Sequence, residues 1–310
     1  MASPLTIVIN PAAGGGKAVR HLPAVQTVLD AAGTRYQTSQ SSSLRHATTM
    51  AAEAAARGDL VVAVGGDGMA GAIAGAVARA RPGGDGVFAM IPAGRGNDFA
   101  RTHGIPFSPA DAAQLLLGGQ TRPIDLITIT GADGAEATVA GSIYLGIISV
   151  AGEIANNTRL IRGPLVYPVA ALRALAGWKP TTFTIEATGS AAPAGALTAP
   201  QKFRGYGVVV ANSPYFGAGM KVAPQADPGD GLLDIVLMRH APKLTYLRAL
   251  TKIKDGSHVA LDQVSTGRAA AVTISVDPPL RAGADGEALL IPPPLRIRAL
   301  PGALNVLVPR

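Results

Sequence analysis

The densest chemistry in the chain lies at Gly65-Gly66-Asp67-Gly68. Residues 60–64, Leu-Val-Val-Ala-Val, read as a buried strand running straight into this loop, and a small-residue helix follows from about Met69 to Ala80. Glycines beyond the carboxyl end of a parallel strand let the backbone bend and bring N–H groups against a phosphate. The helix after them aims its positive end at the same point. Asp67 is the odd member, because a carboxylate beside phosphates is repulsive unless it handles a metal, a hydroxyl proton or a ribose. The bland alternative is a tight strand-to-helix turn with Asp67 as the N-cap.

Two further loops share this character. Residues 87–91 read as the next strand, and Pro92-Ala93-Gly94-Arg95-Gly96-Asn97-Asp98-Phe99-Ala100-Arg101 follows at the same sheet edge. Arg95 offers a forked guanidinium to phosphate, and Asn97 could orient the loop or a substrate. Asp98 serves equally well as a helix cap, and Arg101 as a solvated helix residue. Near the start, Asn10-Pro11 precedes Gly14-Gly15-Gly16-Lys17. This is not a Walker A loop, because Ala18 stands where Ser or Thr would follow the lysine.

The elements that must carry these loops alternate. Residues 5–9, 35–38, 60–64 and 87–91 read as strands, and 18–32, 46–57 and 69–80 as helices, which argues for a parallel sheet covered by helices. After about Asp125 the pattern changes. Residues 126–130, 138–149, 181–187, 203–212, 233–238 and 271–276 look like strands separated by Gly, Pro and Asp-Gly turns, with one helical insert at about 164–176. The expected fold is therefore α/β plus β: an α/β domain over residues 1–125 and a mainly antiparallel β-sandwich over 126–299. Residues 189–200, rich in Ala, Gly and Pro, read as a surface loop.

Composition sets the outer bounds. The chain has 310 residues, 48% hydrophobic and 15% charged, a globular balance sized for two domains. Aromatics are only 4%, so the core must rest on small aliphatic side chains. With no cysteine, disulfides and thiolate metal sites are excluded. The first residues lack the marks of a signal peptide and no stretch suits a spanning helix, so the cytoplasm is the default expectation. A net charge of +7 favours anionic partners. The absence of dense Lys/Arg runs interleaved with aromatics argues against nucleic acid. Homo-oligomer formation is left open.

Taken in order, Asn10-Pro11, Gly-Gly-Asp-Gly and Gly-Arg-Gly-Asn-Asp-Phe-Ala-Arg resemble the diacylglycerol kinase catalytic-domain superfamily, which includes bacterial broad lipid kinases and sphingosine kinases. The resemblance continues through Ala211–Met220, Pro224–Asp234, Asp285-Gly286-Glu287 and the ending Leu300–Val306. It implies an N-terminal α/β domain like those of NAD kinase and phosphofructokinase, a C-terminal β-sandwich on the lipid side, and last residues, about 300–310, that return to the first domain. ATP with Mg2+ would bind in the cleft between them, and a lipid hydroxyl would receive the γ-phosphate. The product class places such an enzyme in lipid metabolism and phospholipid biosynthesis, peripherally attached to an anionic membrane.

The same resemblance assigns roles residue by residue. Glu287 would be the general base toward the lipid hydroxyl. Asp67 would position ATP and its magnesium, or act on the hydroxyl itself, as favoured in the sphingosine-kinase branch. Asn10, Thr38, Gly65, Gly66, Gly68, Met69, Gly94, Arg95, Gly96 and Asn97 would meet the nucleotide. Asp227, Asp230 and the carbonyl of Leu232 match a structural magnesium site, chemically sound because hard cations take oxygen ligands. Two departures matter: Met69 and Arg95 stand where the family usually has Thr, removing two hydroxyls from the phosphate side. Competing readings are an NAD-kinase-like small-molecule kinase and a non-catalytic sensor of lipid or nucleotide. The Asp227–Asp234 segment and the Asp-Gly-Glu turn favour the lipid branch.

Overall fold

A computed structural model describes residues 4–158, 166–188 and 200–310. The chain divides into two compact units, Met1–Leu126 with Pro301–Arg310, and Ile127–Leu300. The proposed surface loop at 189–200 and the start of the helical insert at 164–165 lie outside the described residues, apart from Pro200.

The first unit is built on β1 (Leu5–Ile9), β2 (Tyr36–Gln40), β3 (Leu60–Gly65) and β4 (Val87–Pro92), with the last residues of β17 (Leu295–Val308) alongside. The order is β2-β1-β3-β4-β17, every pair parallel. Ile9 faces Val64, and Val64 faces Ile91, so the carboxyl ends of the central strands are level. The chain leaves β1 toward β2 and then crosses to the other side for β3. That reversal makes the β1/β3 boundary a topological switch point, where open α/β sheets take ligands.

Helices α1 (Lys17–Ala31), α2 (Leu44–Ala56), α3 (Asp67–Ala80), α4 (Asp98–Thr102) and α5 (Pro109–Gly118) flank this sheet. Ser43 caps α2 by accepting from the His46 N–H, and Ser108 caps α5 ahead of Pro109 at its first turn. Alanine takes the place of larger side chains where α2 and α3 are buried, as the low aromatic content requires.

In the second unit, β9 (Gln201–Ala211) is the organising strand. Its first half pairs with β8 (Thr181–Thr188), its second half with β7 (Ser142–Gly146), and β12 (Leu233–Arg239) runs along its opposite edge. β13 (Val264–Ala269) extends β12, β14 (Ala271–Asp277) joins β8 to the start of β17, and β5 (Gln120–Thr130) pairs β6 (Glu136–Val139). The short β15 (Ala282–Ala284) and β16 (Glu287–Leu289) form a hairpin that β15 attaches to β7. A core of Val, Ile and Leu fills the interior, with Phe183 and Phe203 stacked at 5.5 Å.

Two sequence expectations are corrected here. The strand read over 138–149 stops at Gly146, and α6 (Ile147–Asn157) follows. Gly146 has φ 97, and a Cβ there would lie 2.3 Å from the Tyr206 carbonyl oxygen, so the turn out of the strand is set by a distant segment. Helix α8 (Lys243–Lys252) was not anticipated at all; its exposed polar residues masked its periodicity. The helical insert is α7 (Val166–Gly177). No helix among the described residues is long and apolar enough to cross a membrane.

Candidate functional site

Three glycine loops meet at the carboxyl edge of the first unit's sheet. The Asn10 N–H donates to the Val64 carbonyl at 3.1 Å, and the Ala93 N–H to the Gly65 carbonyl at 2.8 Å, so each loop starts pinned to its neighbour. A Cβ on Gly14 would stand 2.3 Å from the Ala93 oxygen, and one on Gly94 2.5 Å from the Gly66 Cα. Glycine is required here because backbone lies against backbone.

Within this cluster the side chains hold the loops. Asn10 Oδ1 accepts from the Ala12 N–H at 3.0 Å. Asn97, buried and left-handed at φ 55, accepts from the Gly94 N–H at 2.8 Å and donates to the Gly94 oxygen at 3.2 Å. It staples its own loop. Asp67 is the first residue of α3, after Gly66 at the N-cap, and accepts the Phe99 N–H at 2.9 Å. It thereby ties the first loop to the second. The first intrahelical bond of α3 runs from the Ala70 N–H to Gly66, so the preceding N–H groups sit at the positive end of the helix.

Arg95 is exposed at the tip of its loop, while Asp98 is buried 3.9 Å from Arg101. Met69 is buried, and its sulfur fills the space where a Gly65 side chain would be, 2.6 Å from the virtual Cβ. Thr38 is exposed in the middle of β2 opposite Ile7; the strand ends at Gln40, and Ser41 donates its hydroxyl to the Ile9 oxygen.

The second unit holds the other carboxylates. In Asp285-Gly286-Glu287, the three residues do different things. Asp285, at φ 46, accepts the N–H groups of Ala140 at 2.9 Å, Gly141 at 3.0 Å and Ser142 at 2.8 Å. Gly286 donates its N–H to the Tyr144 hydroxyl at 3.2 Å. Glu287 opens β16 and is exposed, yet the surrounding protein displaces enough of its hydration to raise its pKa. Tyr144, missed by sequence reasoning because it sits in an apolar strand, lies buried over Gly283, where a Cβ would come 2.2 Å from its ring.

The Tyr144 ring meets Phe216 at 4.4 Å. Phe216 belongs to the hairpin of β10 (Tyr215–Phe216) and β11 (Met220–Lys221), and it lines an apolar cavity of about 170 Å³. Ile148 and Ala151 of α6, Leu175 of α7, and Tyr246 and Leu250 of α8 complete much of the wall. His258 also lines it, buried and held neutral by desolvation, with its Nε2 3.2 Å from the Val222 oxygen.

The Asp227–Leu232 turn is held by its own backbone. Asp227 accepts the Gly229 N–H and Asp230 the Leu232 N–H, both at 3.0 Å. Arg268 pairs with Asp230 and lies 3.5 Å from Asp234. Burial, reinforced by the Asp227 charge, raises Asp234 to about 6. With Arg268 in place, the cation at this turn is the protein's own, and the residues do not fit a resident metal as they stand. Among the described residues, no three His, Cys, Asp or Glu side chains converge as a cage.

Comparison with known proteins bears on the whole arrangement. Residues 4–129 match the diacylglycerol kinase catalytic domain, and residues 141–308 match the YegS C-terminal NAD kinase beta sandwich-like domain. A diacylglycerol kinase of Mycobacterium tuberculosis is 33% identical over 308 residues, covering 99% of this chain and 95% of the relative. One from Bacillus subtilis is 28% identical over 289 residues, 91% of this chain and 88% of its own. The fold is shared with the crystal structure of a diacylglycerol kinase from Bacillus anthracis, at a TM-score of 0.72 and 20% identity, covering 99% of this chain and 97% of that one.

Proposed function

We propose how the chain, which belongs to the diacylglycerol kinase catalytic-domain family and is a lipid kinase, carries out its reaction. The nucleotide is ATP, and its phosphates are received by the backbone N–H groups of the three glycine loops. Asp67 acts on the nucleotide side. Its carboxylate already accepts the Phe99 N–H, and as a hard oxygen donor among phosphate-binding N–H groups it suits a magnesium ion arriving with ATP. Such an ion would supply neutralisation of phosphate charge. Arg95, exposed at its loop tip, adds positive charge where a hydroxyl is missing.

Glu287 is the general base. One observation carries this reading. Its turn is tied through Tyr144 to Phe216 in the wall of the apolar cavity, and the partial desolvation that raises its pKa suits a proton acceptor there. A lipid whose acyl chain enters the cavity would bring its hydroxyl toward that turn. The apolar wall argues for an acyl chain and against a soluble dinucleotide. The enzyme would meet this lipid peripherally, at a membrane surface facing the cytoplasm.

The test is transfer of labelled phosphate from ATP to a panel of dispersed lipid alcohols, with Glu287→Gln and Asp67→Ala beside the wild type. The expected outcome is transfer to an acyl-bearing alcohol, lost in Glu287→Gln with ATP affinity intact, and weaker ATP binding in Asp67→Ala. Retained turnover in Glu287→Gln would remove Glu287 from the base role.

A further inference from the structure

Helix α8 has two faces that do different things. Tyr246, Ala249, Leu250 and Ile253, spaced i, i+3, i+4 and i+7, line the apolar cavity. Leu244, Leu247, Arg248 and Thr251, at the same spacing, point the opposite way and are exposed. Leu244 is 63% exposed and Leu247 36%. Helix α7 repeats the arrangement: Ala171 and Leu175 line the cavity, while Leu172, 47% exposed, and Arg173 face outward. The Lys243 ammonium joins the two helices by donating to the Ala176 oxygen at 2.6 Å, at the carboxyl end of α7.

Charge on this roof is one-sided. Residues 166–179 and 243–254 contain six basic residues, Arg173, Lys179, Lys243, Arg248, Lys252 and Lys254, and no acidic one. The acid next in sequence, Asp255, is occupied by the Ser257 N–H and hydroxyl. Exposed leucines within a field of lysine and arginine are what an interfacial helix presents to lipid: the apolar side chains enter the acyl boundary and the cations stay at the headgroups. A face for another protein would not need to sit on the outer wall of a cavity suited to an acyl chain.

We propose that the outer face of α7 and α8 docks on an anionic lipid bilayer, so that the roof of the cavity is the part of the molecule in contact with the membrane. The inference rests on the reading of that cavity as the acyl-chain site and adds where the lipid comes from. It commits to a bilayer as occupant on the charge complementarity and on the continuity of the face with the cavity beneath.

The test is cosedimentation of the full chain with phosphatidylserine/phosphatidylcholine vesicles and with pure phosphatidylcholine vesicles, without nucleotide. Binding should require phosphatidylserine and weaken with salt. Leu244→Glu with Leu247→Glu should weaken it at least ten-fold at an unchanged melting temperature. Arg248→Gln with Lys252→Gln, which leaves the leucines in place, should weaken it roughly 25-fold, at about five-fold per charge. Leu117→Glu, at an exposed position of α5 in the other unit, should bind as wild type. Equal binding to both vesicles, or undiminished binding by both double variants, overturns the proposal. So does a wild-type dimer that the leucine variant dissociates, which would give the face to a second copy. Because binding is read without ATP, vesicle binding with no phosphate transfer would sink the acyl-site reading and leave the docking face standing.

Discussion

The two carboxylates of the Asp285-Gly286-Glu287 turn should fail in opposite ways. In Asp285→Asn, one oxygen can keep the bonds to Gly141 and Ser142, but the new amide faces the Ala140 N–H, donor against donor. Bonds to a charged acceptor contribute about 1.5–3 kcal/mol and neutral ones about 1, so weakening two and losing the third costs roughly 4 kcal/mol. For a unit the size of Ile127–Leu300, each kcal/mol moves the melting midpoint by about 2–4 °C, which gives a fall of roughly 8–16 °C. Glu287→Gln should leave the midpoint nearly unchanged, because the side chain is exposed, and lower kcat by about 10²–10⁴-fold. The pH dependence follows from the raised Glu287 pKa. The folded state holds this proton more tightly, so a small stability contribution is lost as pH rises from the ordinary value, near 4.3, through the folded one. The base works only when deprotonated, so kcat/KM should fall on the acid side of that same raised pKa, and this limb should vanish in Glu287→Gln. Calorimetry and a pH–rate profile on the two variants check both halves. An Asp285→Asn midpoint within about 3 °C of wild type would refute the assigned division of labour.

Gly94→Ala should push the first two loops apart, since its Cβ would lie 2.5 Å from the Gly66 Cα and 2.9 Å from Asn97 Oδ1. The expected cost is about 1–3 kcal/mol of stability, with at least a ten-fold loss of ATP affinity by titration calorimetry; unchanged affinity would separate the loop contact from nucleotide binding. Arg268→Met should destabilise the second unit by roughly 2 kcal/mol, because Asp230 and Asp234 lose their shared cation in a partly exposed setting. The deficit should grow as pH rises past about 6, where Asp234 ionises, and millimolar magnesium should recover it in the variant while leaving the wild-type midpoint in place. A wild type stabilised by magnesium as strongly as the variant would return the turn to a metal.

The first unit was largely readable from sequence, for a local reason. Residues 60–64 and 87–91 are uninterrupted apolar runs, the first followed at once by Gly65 and the second by Pro92-Ala93-Gly94, and a buried parallel strand ending at a phosphate loop needs little else to declare itself. The second unit was less readable because its decisive contacts are distant. Nothing near Gly146 says that the Tyr206 oxygen lies where its side chain would go, so the apolar run reads as strand to residue 149 although a helix begins at Ile147. Nothing near Asp285 says that its partners are 143–145 positions earlier in the chain. Two lysines, an arginine and two threonines in α8 blur its pattern, although both of its stripes are regular once their surroundings are known.

Met69 shows how the same position reads differently at the two levels. In the sequence it is a missing hydroxyl beside a phosphate loop. In the structure its sulfur occupies the place of a Gly65 side chain, under the carboxyl end of β3. A buried methionine there fixes the bend between strand and helix by packing, while the loop keeps its shape through Gly66 against Gly94 and through Asp67 holding Phe99. Phosphate binding then rests on backbone N–H groups whose directions this packing helps to set, and it does not require a side-chain hydroxyl at position 69. A threonine at that position would add a donor and remove the packing. Its effect on ATP affinity would be the balance of the two, which is why the absent hydroxyl alone was a poor measure of this loop.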